Sequence, residues 1–349
     1  MAVRKIAERT AETLLQALPE ETWTDLFGLS KRSDREFGDR LVTALSRIDR
    51  GLLPPASSHP FEGFIARGTA ALPDLLHLLE TETERDWFNA LDAVAHICFA
   101  ITSAGTDART GGAAVDGAII GPLRAQLKRP DLSIDQLALV TKTLAIARDH
   151  GVLHEQLHRL ADSDPGVVAS AARLLGLGRY APASRILREL VSPERFYESR
   201  AVIWALGELG DPDVLPTLYR ALAQAFRVVD CAIAIGKIGE LTSVGQLTPL
   251  VLTGAPEQRD AAVRALAMIL DHHRHEQKPL GDLFASLKGL IEAQLGSGMA
   301  LSGSTRFHML LCLARMGVTL DEPRIRRYLQ LGIDDDAAAV ASVFQKKRR

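Results

Sequence analysis

Apolar positions recur at helical spacing along most of the chain. Residues 3–18 set Val3, Ile6, Ala7, Ala11, Leu14, Leu15 and Leu18 on one stripe, with Arg4, Glu8, Arg9 and Glu12 opposite. That is the pattern of a helix that buries one face. Pro19-Glu20-Glu21 puts Pro and acids where a second helix would begin, and a third is expected over 34–49. Residues 51–60 are rich in Pro and Ser and read as a linker. Helices resume over 62–80 and 84–102, followed by a polar, Gly-rich loop at 103–112. From about residue 114 the chain alternates helices with short turns, and no segment shows the strict alternation of a strand.

Within this pattern one phrase repeats: a small residue, two of any kind, a small residue, then Leu or Ile, then Gly or Ala. It occurs as Val140-Thr143-Leu144-Ala145, Ala171-Leu174-Leu175-Gly176, Val202-Ala205-Leu206-Gly207, Cys231-Ala234-Ile235-Gly236, Ala262-Ala265-Leu266-Ala267 and Met309-Cys312-Leu313-Ala314. The anchors 144, 175, 206, 235, 266 and 313 are 31, 31, 29, 31 and 47 residues apart. A period near 30 marks units of two antiparallel helices, each burying its face against its neighbours. The small residues let the second helices of successive units approach closely, and the anchor fills the core. The rhythm loosens near 95–143 and again over 267–312, where an extra helix is expected at 280–295.

The turns support this division. Asp162-Ser-Asp-Pro165 and Asp211-Pro-Asp213 each place an Asp cap beside a Pro in the first turn of a helix. Gly151, Gly178, Gly210, Gly239 and Gly317 are expected to end helices in the left-handed conformation.

Composition narrows the choice further. Aromatic residues make up only 5% of the chain against 47% apolar residues in all, which suits closely packed helices better than a β-sandwich. Lys and Arg number 41 against 43 Asp and Glu, a net charge of −2. The basic excess of a nucleic-acid-binding protein is missing outside the terminal Lys346-Lys347-Arg348-Arg349. Cys98, Cys231 and Cys312 are widely separated, and two of them occupy small-residue slots of the phrase. They read as buried free thiols in a reducing compartment, so a cytoplasmic protein without a signal peptide or a membrane span is expected.

The segment Arg200-Ala-Val-Ile-Trp-Ala-Leu-Gly-Glu-Leu-Gly-Asp-Pro-Asp-Val-Leu-Pro216 resembles a unit of the HEAT-like repeats found in phycobilisome lyases and many bacterial adaptor proteins. Arg259 to Ala267 and Arg306 to Ala314 are similar, with Arg in the family's usual place, whereas Val168 and Val228 replace it. The resemblance covers roughly 115–332 and implies an α-solenoid with an interaction surface rather than a reaction. The expected organisation is an N-terminal helical cap at 1–52, a solenoid at 61–332 and a C-terminal helix with a basic tail at 333–349.

Three motifs suggest chemistry. His154-Glu155-Gln156-Leu157-His158 is a literal HExxH, which on a helix sets two imidazoles on one face for zinc and a Glu for its water. It opens a short helix after Gly151, has Arg159 where zinc peptidases carry an uncharged residue, and lacks a third ligand motif. His272-His273-Arg274-His275-Glu276 reads as a cationic helix end. Gly176-Leu-Gly-Arg-Tyr-Ala181 fits a loose dinucleotide fingerprint but follows a helix rather than a strand.

The candidate binding residues are Arg200 and Trp204, one turn apart, with Arg264 and the slot after the phrase, which holds Glu208, Lys237 and Arg315. Trp204 serves equally as an interface anchor or as filler between repeats. The sequence therefore favours an all-α, non-catalytic scaffold or adaptor that binds a protein partner along its concave face, with no cofactor. The alternatives are a phycobilin lyase-like chaperone, a HEAT-like DNA glycosylase and, last, a zinc metallopeptidase built on His154 and His158.

Overall fold

The computed structural model describes residues 59–81, 84–103, 117–129, 131–273, 281–296 and 301–318. Among them every regular element is helical. The expected cap at 1–52, the helices at 3–18 and 34–49, and the tail at 333–349 lie outside the described residues, as do most of the linker and of the loop that follows residue 103. The chain divides into two compact units, Met1–Ala205 and Leu206–Arg349.

In the first unit the helices are α1 (Glu62–Arg67), α2 (Leu72–Thr81), α3 (Glu84–Ser103), α4 (Gly117–Leu127), α5 (Ile134–Ile146), α6 (His150–Arg159), α7 (Pro165–Leu177) and α8 (Ser184–Leu190). Helix α9 (Phe196–Leu209) carries the boundary. The second unit continues with α10 (Leu215–Ala223), α11 (Val228–Ile238), α12 (Val244–Thr253), α13 (Pro256–His272), α14 (Gly281–Gly296) and α15 (Gly303–Arg315). Helix α14 answers to the extra helix expected at 280–295.

The phrase lies on the second helix of each pair. In the first unit α2 packs on α3, α4 on α5 and α6 on α7, while α3, α5 and α7 stack on one another in a row. In the second unit α10 packs on α11, α12 on α13 and α14 on α15, and α11, α13 and α15 form the corresponding row. The anchors Leu144, Leu175, Leu206, Ile235, Leu266 and Leu313 are all fully buried.

The rows are close because, at three successive phrases, the last residue rests on the next phrase's small residue. A methyl group placed on Gly176 would fall 2.8 Å from the Ala205 Cα; on Gly207, 2.8 Å from the Ala234 Cα; on Gly236, 2.6 Å from the Ala265 Cα. Any side chain at these glycines would push two backbones apart. At the last step Cys312 takes the small-residue place, and its thiol points to the Val263 carbonyl at 3.7 Å.

Helix starts follow the expected chemistry. Asp164 caps α7 by accepting from the Gly166 N–H at 2.7 Å, and Asp211 accepts from the Asp213 N–H at 2.9 Å in the turn before α10. Ser133 and Gln136 form a reciprocal capping box on α5.

The helix ends correct the sequence reading in part. Gly210, Gly239 and Gly317 are left-handed, with φ of 67°, 82° and 89°. Gly178 is not, with φ of −77°, and Gly151 lies inside α6. In those two units the left-handed residue is Arg148 (φ 60°) or Arg179 (φ 49°). All five stand four residues after their anchor, so the position in the unit decides the conformation and the residue type only its cost. The N–H after this residue closes the helix by donating to the anchor carbonyl: Asp149 to Leu144 at 2.9 Å, Tyr180 to Leu175 at 3.0 Å and Val318 to Leu313 at 3.1 Å.

Candidate surface for partner binding

On the second-helix row, the side chains two residues before and two after the anchor are half-buried or exposed at every anchor except Leu144, where Ile146 is in the core. In the second unit this face is a chain of ion pairs between neighbouring helices. Glu208 on α9 pairs with Lys237 on α11, and Asp271 on α13 pairs with Arg315 on α15 at 2.9 Å. Asp260 on α13 accepts from the Thr305 hydroxyl of α15 at 3.2 Å and has His308 Nδ1 at 4.0 Å. Arg264 is exposed on α13. Of the candidate residues, Lys237 and Arg315 thus serve in part to hold adjacent helices in register.

In the first unit the same face is aromatic and cationic. Arg200 is exposed on α9 and Trp204 is half-buried one turn further on. The Trp204 ring edge lies 2.9 Å from where a Gly176 methyl would stand, so one side of the indole fills the gap between α7 and α9. Sequence reasoning missed Phe196 and Tyr197, which are 54% and 83% exposed and meet edge to face with ring centroids 6.1 Å apart. It also missed Arg173 on α7, one turn before Gly176. The available signal was spacing, since Phe196, Arg200 and Trp204 follow each other at intervals of four.

The arginines of the resemblance differ in their work. Arg259 donates to the Val251 carbonyl at 3.1 Å and the Gly254 carbonyl at 3.2 Å, tying off the end of α12. Arg200 stands one place later in its unit. The equivalent of Arg259 there is Ser199, fully buried, whose hydroxyl donates to the Phe196 carbonyl at 2.9 Å.

The HExxH histidines belong to a packed helix. Asp149 caps α6 by accepting from the Val152 N–H at 3.0 Å, and Arg124 grips the same carboxylate at 2.6 and 3.1 Å. His154 is buried, with Nδ1 3.1 Å from the Tyr180 hydroxyl. The His158 ring stands nearly perpendicular to it, centroids 5.9 Å apart. Burial lowers the pKa of both imidazoles from 6.5; the neighbouring His158 adds to this at His154, while Glu155 opposes it at His158. Glu155, the residue a peptidase would need as base, is paired with Arg159 at 2.8 Å. Among the described residues no group of three or more His, Cys, Asp or Glu side chains is placed to hold a metal ion.

At the second His-rich segment α13 ends at His272, and His273 Nε2 donates to the Gly239 carbonyl at 2.8 Å. Burial pushes the Cys98 and Cys231 thiols up to about 12 and raises Cys312 as well. They are packing groups rather than nucleophiles.

These features define an all-helical repeat protein built from stacked helix pairs. The chain carries HEAT-like repeats, and residues 152–230 match the family model described as HEAT repeats. Among solved structures it is similar to the complex of CpcE and CpcF of phycocyanin lyase from Nostoc sp. PCC7120, at 19% identity over 64% of this chain and 96% of that chain, with a TM-score of 0.35. It is also similar to an engineered protein, at 16% identity over 99% of this chain and 93% of that chain, with a TM-score of 0.40. No curated protein sequence matches. No described helix is long and apolar enough to cross a membrane.

Proposed function

We propose that this chain is a non-catalytic scaffold of the cytoplasm that binds another protein along the exposed face of its second-helix rows. The observation that carries this reading is the rigid spacing of those rows. Backbone contact at Gly176, Gly207 and Gly236 holds successive helices at short range, so the side chains beyond the anchors form a preformed array. In this reading Arg200 and Trp204 belong to the array of the first unit, and Glu208, Lys237, Arg264 and Arg315 to that of the second. A preformed array binds without the entropic cost of ordering itself first.

The sign of the charges favours protein over nucleic acid. Glu208 beside Lys237 and Asp271 beside Arg315 neutralise the face locally, where a phosphate backbone requires uncompensated cations. The three buried thiols support a reducing compartment.

Affinity purification of the full chain, with mass spectrometry of what co-purifies, tests the proposal. A stoichiometric protein partner that Trp204→Ala with Arg264→Glu releases is the expected result. Specific binding of a tetrapyrrole or of DNA, with no protein recovered, would refute it.

A further inference from the structure

Helix α1 is held to the repeats by a histidine. None of its own residues is buried, whereas His59, just ahead of it, is only 7% exposed. Both nitrogens of that ring are engaged. Nδ1 accepts from the Phe61 N–H at 2.9 Å, which leaves the ring proton on Nε2, 3.3 Å from the Asp92 carboxylate of α3. One turn further along α3, His96 meets the His59 ring edge to face, with centroids 5.6 Å apart. The His96 Nε2 is buried and has no hydrogen-bond partner among the described residues. Burial lowers the pKa of His96 from 6.5; Asp92 opposes this, while His59 and Lys142 of α5 add to it. The charged groups of α1 itself are Glu62, exposed in its first turn, and Arg67, which pairs with Asp74 of α2 at 2.8 Å. The short turn Gly68–Ala71, also packed against α1, carries no titratable side chain.

We propose that His59 is an acid-sensitive latch: proton uptake by His59 and His96 unseats residues 59–66 from α3 and leaves α1 held through Arg67. A second proton on the His59 ring must sit on Nδ1, where it opposes the Phe61 N–H that Nδ1 now accepts. The cation therefore cannot keep both of its contacts. A proton on His96 makes a partly buried cation, and Asp92, its neighbour one turn back, already faces His59. Two imidazolium rings, with Lys142 behind them, would then compete for one carboxylate. Opening lets both rings reach water, where imidazoles charge at about pH 6.5. Protons thus favour the open form, so the latch is closed above that pH and loosens as the pH falls through and below it. The Arg67–Asp74 pair contains no imidazole and keeps the far end of α1 tethered. Residues 1–58 reach the repeats through this segment, so the latch sets how firmly that joint is held. It does not depend on the scaffold reading above.

Hydrogen exchange of the full chain, read by mass spectrometry, tests the latch at about pH 7.5 and about pH 5.5, on either side of the imidazole range. Rates are corrected for the intrinsic pH dependence of amide exchange. Protection of residues 59–66 should fall by about threefold or more at the lower pH, while that of α11 holds, because the opening is local. Asp92→Asn removes the counter-charge and should steepen the response. His59→Gln with His96→Leu should abolish it, with circular dichroism checking that both variants fold. Equal protection of residues 59–66 at the two pH values in the wild-type chain overturns the inference. So does a flatter response in Asp92→Asn, or one that survives in the double variant. A loss of protection in α11 that matches the loss in residues 59–66 also overturns it, since that marks general unfolding.

Discussion

Gly236→Ala offers a sharp test of the contact that spaces the helices. Gly236 lies in the last turn of α11, where in a solvent-exposed helix Ala would be favoured over Gly by up to about 1 kcal/mol. Here the added methyl would stand 2.6 Å from the Ala265 Cα, 2.8 Å from its Cβ and 3.1 Å from its carbonyl oxygen. Carbon atoms rest at about 3.5–4.0 Å, so the shortfall is close to an ångström. The obstructing atoms are backbone and Cβ, which no rotamer change can move. Overpacking of this kind costs about 1–3 kcal/mol, enough to cancel the propensity gain and leave a net loss of up to about 2 kcal/mol. Gly289 on α14 is the matched control: exposed, with nothing within 4 Å of a built methyl. Gly289→Ala should therefore stabilise by up to about 1 kcal/mol. Both substitutions change the unfolded chain alike, so comparing them isolates the folded state. Urea denaturation followed by far-UV circular dichroism gives both values. If Gly236→Ala proves as stable as Gly289→Ala, the close-contact account of the repeat phrase is wrong.

Three further outcomes are expected. Asp149→Ala removes the α6 cap and strips Arg124 of a bidentate partner at 2.6 and 3.1 Å; with Asp149 buried and Arg124 partly exposed, a loss of about 2–4 kcal/mol is expected, and a denaturant midpoint close to wild type would contradict it. Arg179→Gly relieves a left-handed arginine at φ 49° and should stabilise by about 0.5–1 kcal/mol after the entropy of the new glycine is deducted; a lowered melting temperature would count against this. The imidazoles of His154 and His158 titrate below their unfolded value of 6.5 in the folded chain because burial disfavours the cation. The unfolded chain therefore binds more protons, and stability is full above pH 6.5 and falls as the pH drops through and below it. His154→Gln with His158→Gln should flatten melting temperature between pH 7 and 5, and an unchanged slope would refute the assignment.

The fold was legible because the phrase reports contacts at both ends: its last residue and the fourth of the next phrase meet at Gly176, Gly207 and Gly236, so the spacing constrains the sequence directly. Asp164 and Asp211 were legible for a local reason, since a cap acts on N–H groups two or three residues away. The left-handed turns were only half legible, because at Arg148 and Arg179 the geometry of the unit overrides residue preference. Spacing alone put Phe196 in line with Arg200 and Trp204, but the exposure of Phe196 and Tyr197 depends on what the neighbouring turn leaves uncovered, which that spacing does not encode. The pairing of Glu208 with Lys237 required knowing that side chains 29 residues apart are neighbours, a consequence of stacking rather than of either residue's own helix.

The contact of glycine on alanine also governs how such a chain can change in length. Excising residues 236–266 would join Ile235 to Ala267, a small residue that already closes a phrase. The cut would delete one complete layer and leave both new neighbours compatible. A cut of half that length would set a long side chain against backbone. Growth and loss by whole layers, with partial layers rejected, make the number of units the natural variable by which a relative of this protein could alter its reach.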